Sequence, residues 1–221
     1  MTNVVGRSYA GATTSARVAK RRSRLLDVAL SAMAENRWRS TTVAGLCTEA
    51  QLNKRYFYES FADLDQVADA TIDEVAGEVG TAAINSYLAT VGSSLEVQAR
   101  AAVEAVVGVL GADRRKALVL LGGVPTTVDK EGKRSAAIAG LTMVLTEHSS
   151  HVHDVELERD SLAATGPAFV IGGTAQTILS WVNGDLEVSR EQLIDDITGL
   201  WLLLGQGAAD LARSRIDKDP H

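Results

Sequence analysis

Cysteine is nearly absent from this chain of 221 residues, where Cys47 stands alone. One cysteine excludes an internal disulfide framework and offers no metal-ligand spacing. No run approaches the roughly 18 uncharged apolar residues of a membrane span, and the first residues lack the apolar segment of a secretory signal. Sustained polar–apolar alternation, the mark of a sheet, is missing as well; only the short VLLGGV stretch is ambiguous. No nucleophile motif, phosphate-cradling loop or paired-carboxylate constellation stands out. These absences lead us to expect a soluble, cytoplasmic, all-α protein that is not an enzyme and carries no cofactor or metal.

What is present is an uneven charge. The net charge is −6. Residues 1–61 hold ten Lys/Arg against four Asp/Glu, a balance of +6, and the remainder of the chain carries −12. A basic module that meets a polyanion, followed by an acidic body, fits that division.

Residues 1–16 are small, polar and aperiodic, and read as a flexible arm. Its Arg7 either enters a minor groove or has no role. A first helix is expected from Arg17 to Asn36, with Leu25, Leu26, Ala29, Leu30 and Met33 at helical spacing. Arg17, Lys20, Arg21, Arg22 and Arg24 crowd its start, where cations oppose the helix macrodipole. Phosphate neutralisation is one explanation for them and a solvated charge run the other. Trp38 follows as a core plug. Thr41 or Thr42 caps a second helix reaching Ala50, in which Val43, Leu46 and the packing residue Cys47 face inward. Gln51-Leu52 is the turn, and Asn53 caps a third helix anchored by Phe57 and Phe61. Lys54, Arg55, Tyr56, Tyr58 and Glu59 remain for its outer surface, a composition suited to the major groove of DNA.

The segments LLDVALSAMAENRW, TTVAGL and LNKRYFYESFADLDQV, within residues 25–67, resemble the N-terminal DNA-binding domain of the TetR family of bacterial repressors. The rest of the chain is similar to that family in helical layout. The resemblance implies a helix-turn-helix domain over residues 17–62. Residues 63–221 would then form a larger helical domain for ligand binding and dimerisation, about nine helices in all. It places Lys54, Arg55 and Tyr56 at base edges, and Thr42, Tyr58 and Ser60 at phosphates; Arg21 and Arg22 join the phosphate set through their charge. Two positions depart from the family pattern. Gln51 stands where a glycine is usual, so a left-handed backbone there carries strain. Leu64 stands where a lysine is usual, which removes one phosphate contact.

In the body, helices are expected over 63–90, 94–110, 113–121, 127–147, 158–183 and from Ser189 onward. Asp113 and Ser189 act as caps, the latter in a capping box with Gln192, and Asn183-Gly184 forms a terminator. His148, His151 and His153 with Asp154 fit a polar loop better than a metal site, because their spacing suits no single helix face. The last two helices carry small residues, Gly173 among them, and a long apolar row. The resemblance assigns Gly173, Ile178, Trp181, Leu193, Ile197, Leu200 and Leu204 to a homodimer interface. Gln98, Met143, Phe169, Thr174 and Thr177 are candidates for lining an effector pocket.

The reading is a DNA-binding transcriptional regulator: a homodimeric repressor of a palindromic operator, released by a small molecule. A protein that coats DNA without sequence preference is the alternative, and a small-molecule-binding enzyme is a further one.

Overall fold

The computed structural model describes residues 8–122 and 160–216. Eight α-helices and one short 3₁₀ turn make up the described residues, with no strand among them. They are α1 (Ser8–Ala34), α2 (Val43–Glu49), α3 (Lys54–Tyr58), α4 (Leu64–Ala89), α5 (Leu95–Ala112), α6 (Arg114–Leu120), α7 (Leu162–Asn183) and α8 (Arg190–Ile216). The all-α expectation holds. The helix expected over 127–147 and the histidine cluster lie outside the described residues, as does Arg7.

One boundary is corrected. The helix α1 starts at Ser8, so residues 8–16, expected in the arm, form its first turns. That stretch contains three alanines and no proline, so nothing in it breaks a helix that continues into Arg17.

The helix ends follow local chemistry. The Thr42 hydroxyl accepts from the Gly45 N–H at 3.1 Å, and the Asn53 side chain accepts from the Tyr56 N–H at 3.1 Å. Asp113 and Ser189 accept from the backbone N–H groups of Arg115 and Gln192, both as expected of N-caps. The reciprocal half of the Ser189 capping box is replaced, since the Gln192 side chain donates to Asp196 instead.

Three helices stop by one device. After α1, Arg37 N–H donates to Ala32 O and Asn36 N–H to Met33 O. After α2, Leu52 donates to Cys47 O and Gln51 to Thr48 O, and after α7, Asp185 donates to Ser180 O and Gly184 to Trp181 O. This pair of bonds needs a left-handed residue at the position after the cap. Asn36 (φ 59°), Gln51 (φ 56°) and Gly184 (φ 83°) supply it. Glycine adopts that backbone freely and asparagine tolerates it, whereas Gln51 bears a steric cost. The strain expected at the turn is therefore present.

The described residues fall into two compact units, one ending at Glu74 and the other beginning at Val75, with the division inside α4. In the first unit α1, α2 and α3 pack against one another. Their core is Leu25, Leu26, Ala29, Met33, Trp38, Leu46, Cys47, Phe57 and Phe61, all buried. Burial pushes the Cys47 thiol above its ordinary pKa against a smaller opposing pull from Lys54, as suits a packing residue. In the second unit α5 packs chiefly against α8, and α7 against α6 and α8. Val103, Val107, Leu110, Ile178, Leu193, Ile194 and Ile197 form its core. Two indole N–H groups tie this unit together: Trp201 donates to the Thr174 hydroxyl at 2.7 Å and Trp181 to Val188 O at 3.0 Å. The Trp181 ring lies so close to Gly111 that a Cβ there would sit 2.9 Å from it, which explains the glycine. An Arg100–Asp195 ion pair adds a polar link between α5 and α8.

Candidate nucleic-acid interface

The helix α3 has only five residues, too few for a stable helix on its own, so its position is set by its anchors. Phe57 is wholly buried and Phe61 nearly so, with ring centroids 6.1 Å apart. Tyr58 meets Phe57 edge-on at 5.2 Å and remains 60% exposed, so its ring is seated while its hydroxyl faces outward. Lys54 is exposed, and the Arg55 side chain is 85% exposed. Two anchored rings thus hold a short helix whose other face offers cations and a phenol.

The expected phosphate-binding set is placed unevenly. Thr42 is exposed at the start of α2. Its hydroxyl oxygen is engaged as a cap acceptor, which leaves the hydroxyl proton free to donate to an anion. Ser60 is half-buried at the end of α3. Arg22 lies 5.3 Å over the Phe61 ring and 3.7 Å from Glu74.

Arg21 is less open than the expectation of a phosphate contact supposed. Its guanidinium stacks on the Tyr56 ring at 4.1 Å and pairs with Glu59 at 3.2 Å. Its side chain is only 21% exposed, so it holds α1 to α3 rather than standing free for phosphate. Tyr56 is accordingly half-buried, less open than Lys54 and Arg55. Sequence reasoning missed this because the partners lie 35 and 38 residues from Arg21 and no local pattern joins them. Glu59 was expected on the outer surface of α3, but its pairing with Arg55, four residues before it and 3.3 Å away, was not foreseen. The i,i+4 spacing was a usable signal for that contact.

The residues expected at an effector pocket do not converge among the described residues. Thr174 holds Trp201, and the Thr177 hydroxyl donates to Gly173 O of its own helix at 2.8 Å. Phe169 is 70% exposed, and Met143 lies outside the described residues. Gln98 donates to Ser93 O, while its Oε1 is buried without a hydrogen-bond partner among the described residues.

The expected homodimer set splits in two. Ile178, Leu193 and Ile197 are buried within the chain, and Trp181 is half-buried against Gly111. They are core residues, because the face of α8 that carries Leu193 and Ile197 is the one turned inward. Gly173, Leu200 and Leu204 are exposed, and so are Leu203 and Leu211.

No family model and no curated protein matches the sequence. Solved structures do match the fold. A TetR-like transcriptional regulator from Rhodococcus sp. RHA1 superimposes with a TM-score of 0.62 at 18% identity, over 84% of this chain and 93% of that one. The transcriptional regulator FadR from Bacillus subtilis, solved in complex with stearoyl-CoA, gives 0.66 at 15% identity, over 81% and 96%. AibR, solved in complex with isovaleryl coenzyme A and operator DNA, gives 0.63 at 16% identity, over 81% and 97%. The likeness runs through both units of the chain, and this protein has the fold of the TetR-like transcriptional regulators.

Proposed function

We propose that this protein is a sequence-specific DNA-binding transcriptional regulator, a homodimeric repressor of a palindromic operator released by a small effector. The observation that carries the reading is the seating of α3: buried Phe57 and Phe61 fix a helix whose open face presents Lys54, Arg55 and Tyr58. In a major groove Arg55 would bond guanine O6 and N7 bidentately, with Lys54 and Tyr56 beside it. Tyr58, Thr42, Ser60 and Arg22 would donate to phosphates and set the register.

Homodimer formation is supported by an inverted arrangement in α8. Towards its C-terminal end the buried residues are Ala209 and Ala212, while Leu203, Leu204 and Leu211 face out. A helix that turns alanines inward and leucines outward leaves its larger apolar surface for a partner. On α7, Gly172 and Gly173 are exposed, and a Cβ on either would meet nothing within 4 Å. Each glycine costs a helix about 1 kcal/mol relative to alanine, and no contact among the described residues requires it. Close approach of a second copy would.

For the effector, the acyl thioesters of coenzyme A bound by two of the solved neighbours are the first class to try. Gln98 Oε1, without a hydrogen-bond partner among the described residues, is a candidate acceptor for a donor on such a ligand. The effector acts only through different affinities for the DNA-competent and released states; about 10⁴-fold moves a population from 1:99 to 99:1.

Footprinting on the DNA flanking the protein's own gene tests the reading, repeated with isovaleryl-CoA and stearoyl-CoA. Protection of two symmetric half-sites, lost on adding a thioester, is expected. Uniform protection would identify a non-specific DNA-coating protein, and protection indifferent to every thioester would remove that effector class.

A further inference from the structure

One carboxylate sits on the face offered to DNA and is shared by two cations. Glu59 Oε1 lies 3.3 Å from Arg55 Nε, and Glu59 Oε2 lies 3.2 Å from Arg21 Nη2. Glu59 follows Arg55 by four residues, so the two project from one side of α3, and whatever Arg55 touches is within reach of Glu59. The Glu59 side chain is one-third exposed, against 85% for Arg55. Arg55 is therefore free to swing away to a ligand. Arg21 is not, being held against the Tyr56 ring.

We infer that Glu59 is a specificity-determining residue of the reading head, acting by exclusion as well as by contact. This rests on the DNA-binding reading above. On mixed-sequence DNA, Arg55 must leave Glu59 for a phosphate, and the freed carboxylate then faces a polyanion, so binding is penalised. On the cognate site, Arg55 moves to a guanine, and Glu59 accepts from an exposed base amino group, as a carboxylate does from cytosine N4. Arg21 stays in place and offsets part of the carboxylate's charge in both cases. The residue thus lowers affinity for all DNA and lowers it least where an amino-bearing base stands beside the guanine.

The test is in vitro selection from a pool of random-sequence duplexes, paired with titration of the unselected pool over a range of salt, for wild type, Glu59→Gln and Arg21→Gln. Glu59→Gln should bind the unselected pool on the order of ten-fold more tightly, with a salt slope steeper by about one. Its selected motif should lose preference at one base pair beside that read by Arg55. Arg21→Gln, which leaves Glu59 uncompensated, should bind the pool more weakly. Opposite signs for the two variants support the inference. Weakening of both by like amounts would overturn it and leave Glu59 as no more than an anchor for Arg21, and a wild-type affinity and motif in Glu59→Gln would overturn it as well. A wild type that enriches no motif would instead overturn the DNA-reading proposal on which the inference depends.

Discussion

The two units of this chain handle their apolar surface in opposite ways. In the N-terminal unit the large apolar groups of α1 to α3 turn inward, and the outer face of α3 is left to Lys54, Arg55 and Tyr58. In the C-terminal unit Leu200, Leu203, Leu204, Leu211 and Phe169 stay exposed although the same helices bury Ile178, Leu193, Ile194 and Ile197. Among the described residues the first unit turns its core groups inward and offers charge, whereas the second buries a core yet also offers apolar surface. A closed head suits a polar, charged partner, and an open apolar helix face suits another protein surface. That contrast, more than either feature alone, argues for a division of labour between reading and pairing.

The largest expected effect breaks the closed unit. Phe57→Ala removes the fully buried ring that seats α3 and should cost about 3–5 kcal/mol of folding stability. A thermal melt should show the loss, and DNA binding should disappear with it. If the variant melted like wild type, α3 would not depend on its anchor. The open unit is tested by Leu200→Glu. Because Leu200 is already exposed, this change should leave the melt nearly intact while weakening self-association by about 2 kcal/mol or more, near 30-fold. Sedimentation that still showed dimer at low concentration would place the pairing surface elsewhere. Ile197→Ala, three residues earlier on the inward face, should do the reverse and destabilise the fold by about 2–5 kcal/mol.

Arg55→Ala sharpens the claim on the head. It should cost about 1–3 kcal/mol on the preferred duplex and relax one base pair, with little change in folding. An unchanged sequence preference would take Arg55 out of the reading set. The smallest effect is expected at the turn. Gln51→Gly relieves a left-handed backbone worth roughly 1–2 kcal/mol but adds unfolded-state freedom of about 0.4–1 kcal/mol, so a net gain between about 0 and 1.6 kcal/mol should appear as a slightly higher melting temperature. A lower one would mean that the Gln51 side chain makes a contact that outweighs the strain.

Much of this was legible in the sequence because it is local. Caps at Thr42, Asn53, Asp113 and Ser189, the terminator at Gly184 and the strain at Gln51 each depend on neighbours within a few residues, and backbone geometry dictates them. The anchors Phe57 and Phe61 were legible from helical spacing. What escaped depends on which neighbour a face meets. The apolar row of α8 is continuous in sequence from Leu193 to Leu211, and only packing against α5 decides that Leu193 and Ile197 go inside while Leu200 and Leu204 stay out. Arg21 reads as one cation in a basic run, and only the fold brings it to Tyr56 and Glu59. The start of α1 was misplaced for a third reason: the small polar residues of that stretch carry no hydrophobic periodicity, so its sequence shows no helical pattern.

The central claim is that the closed head reads sequence and the open body sets the distance between two heads. Selection from a random-sequence duplex pool with wild type and Leu200→Glu tests it most directly. The account predicts that wild type enriches a palindrome whose half-sites are spaced by one helical turn, about 34–36 Å, or a multiple of it, and that Leu200→Glu enriches at most an isolated half-site. Enrichment of the same palindrome by both proteins, or of no motif by either, would contradict it.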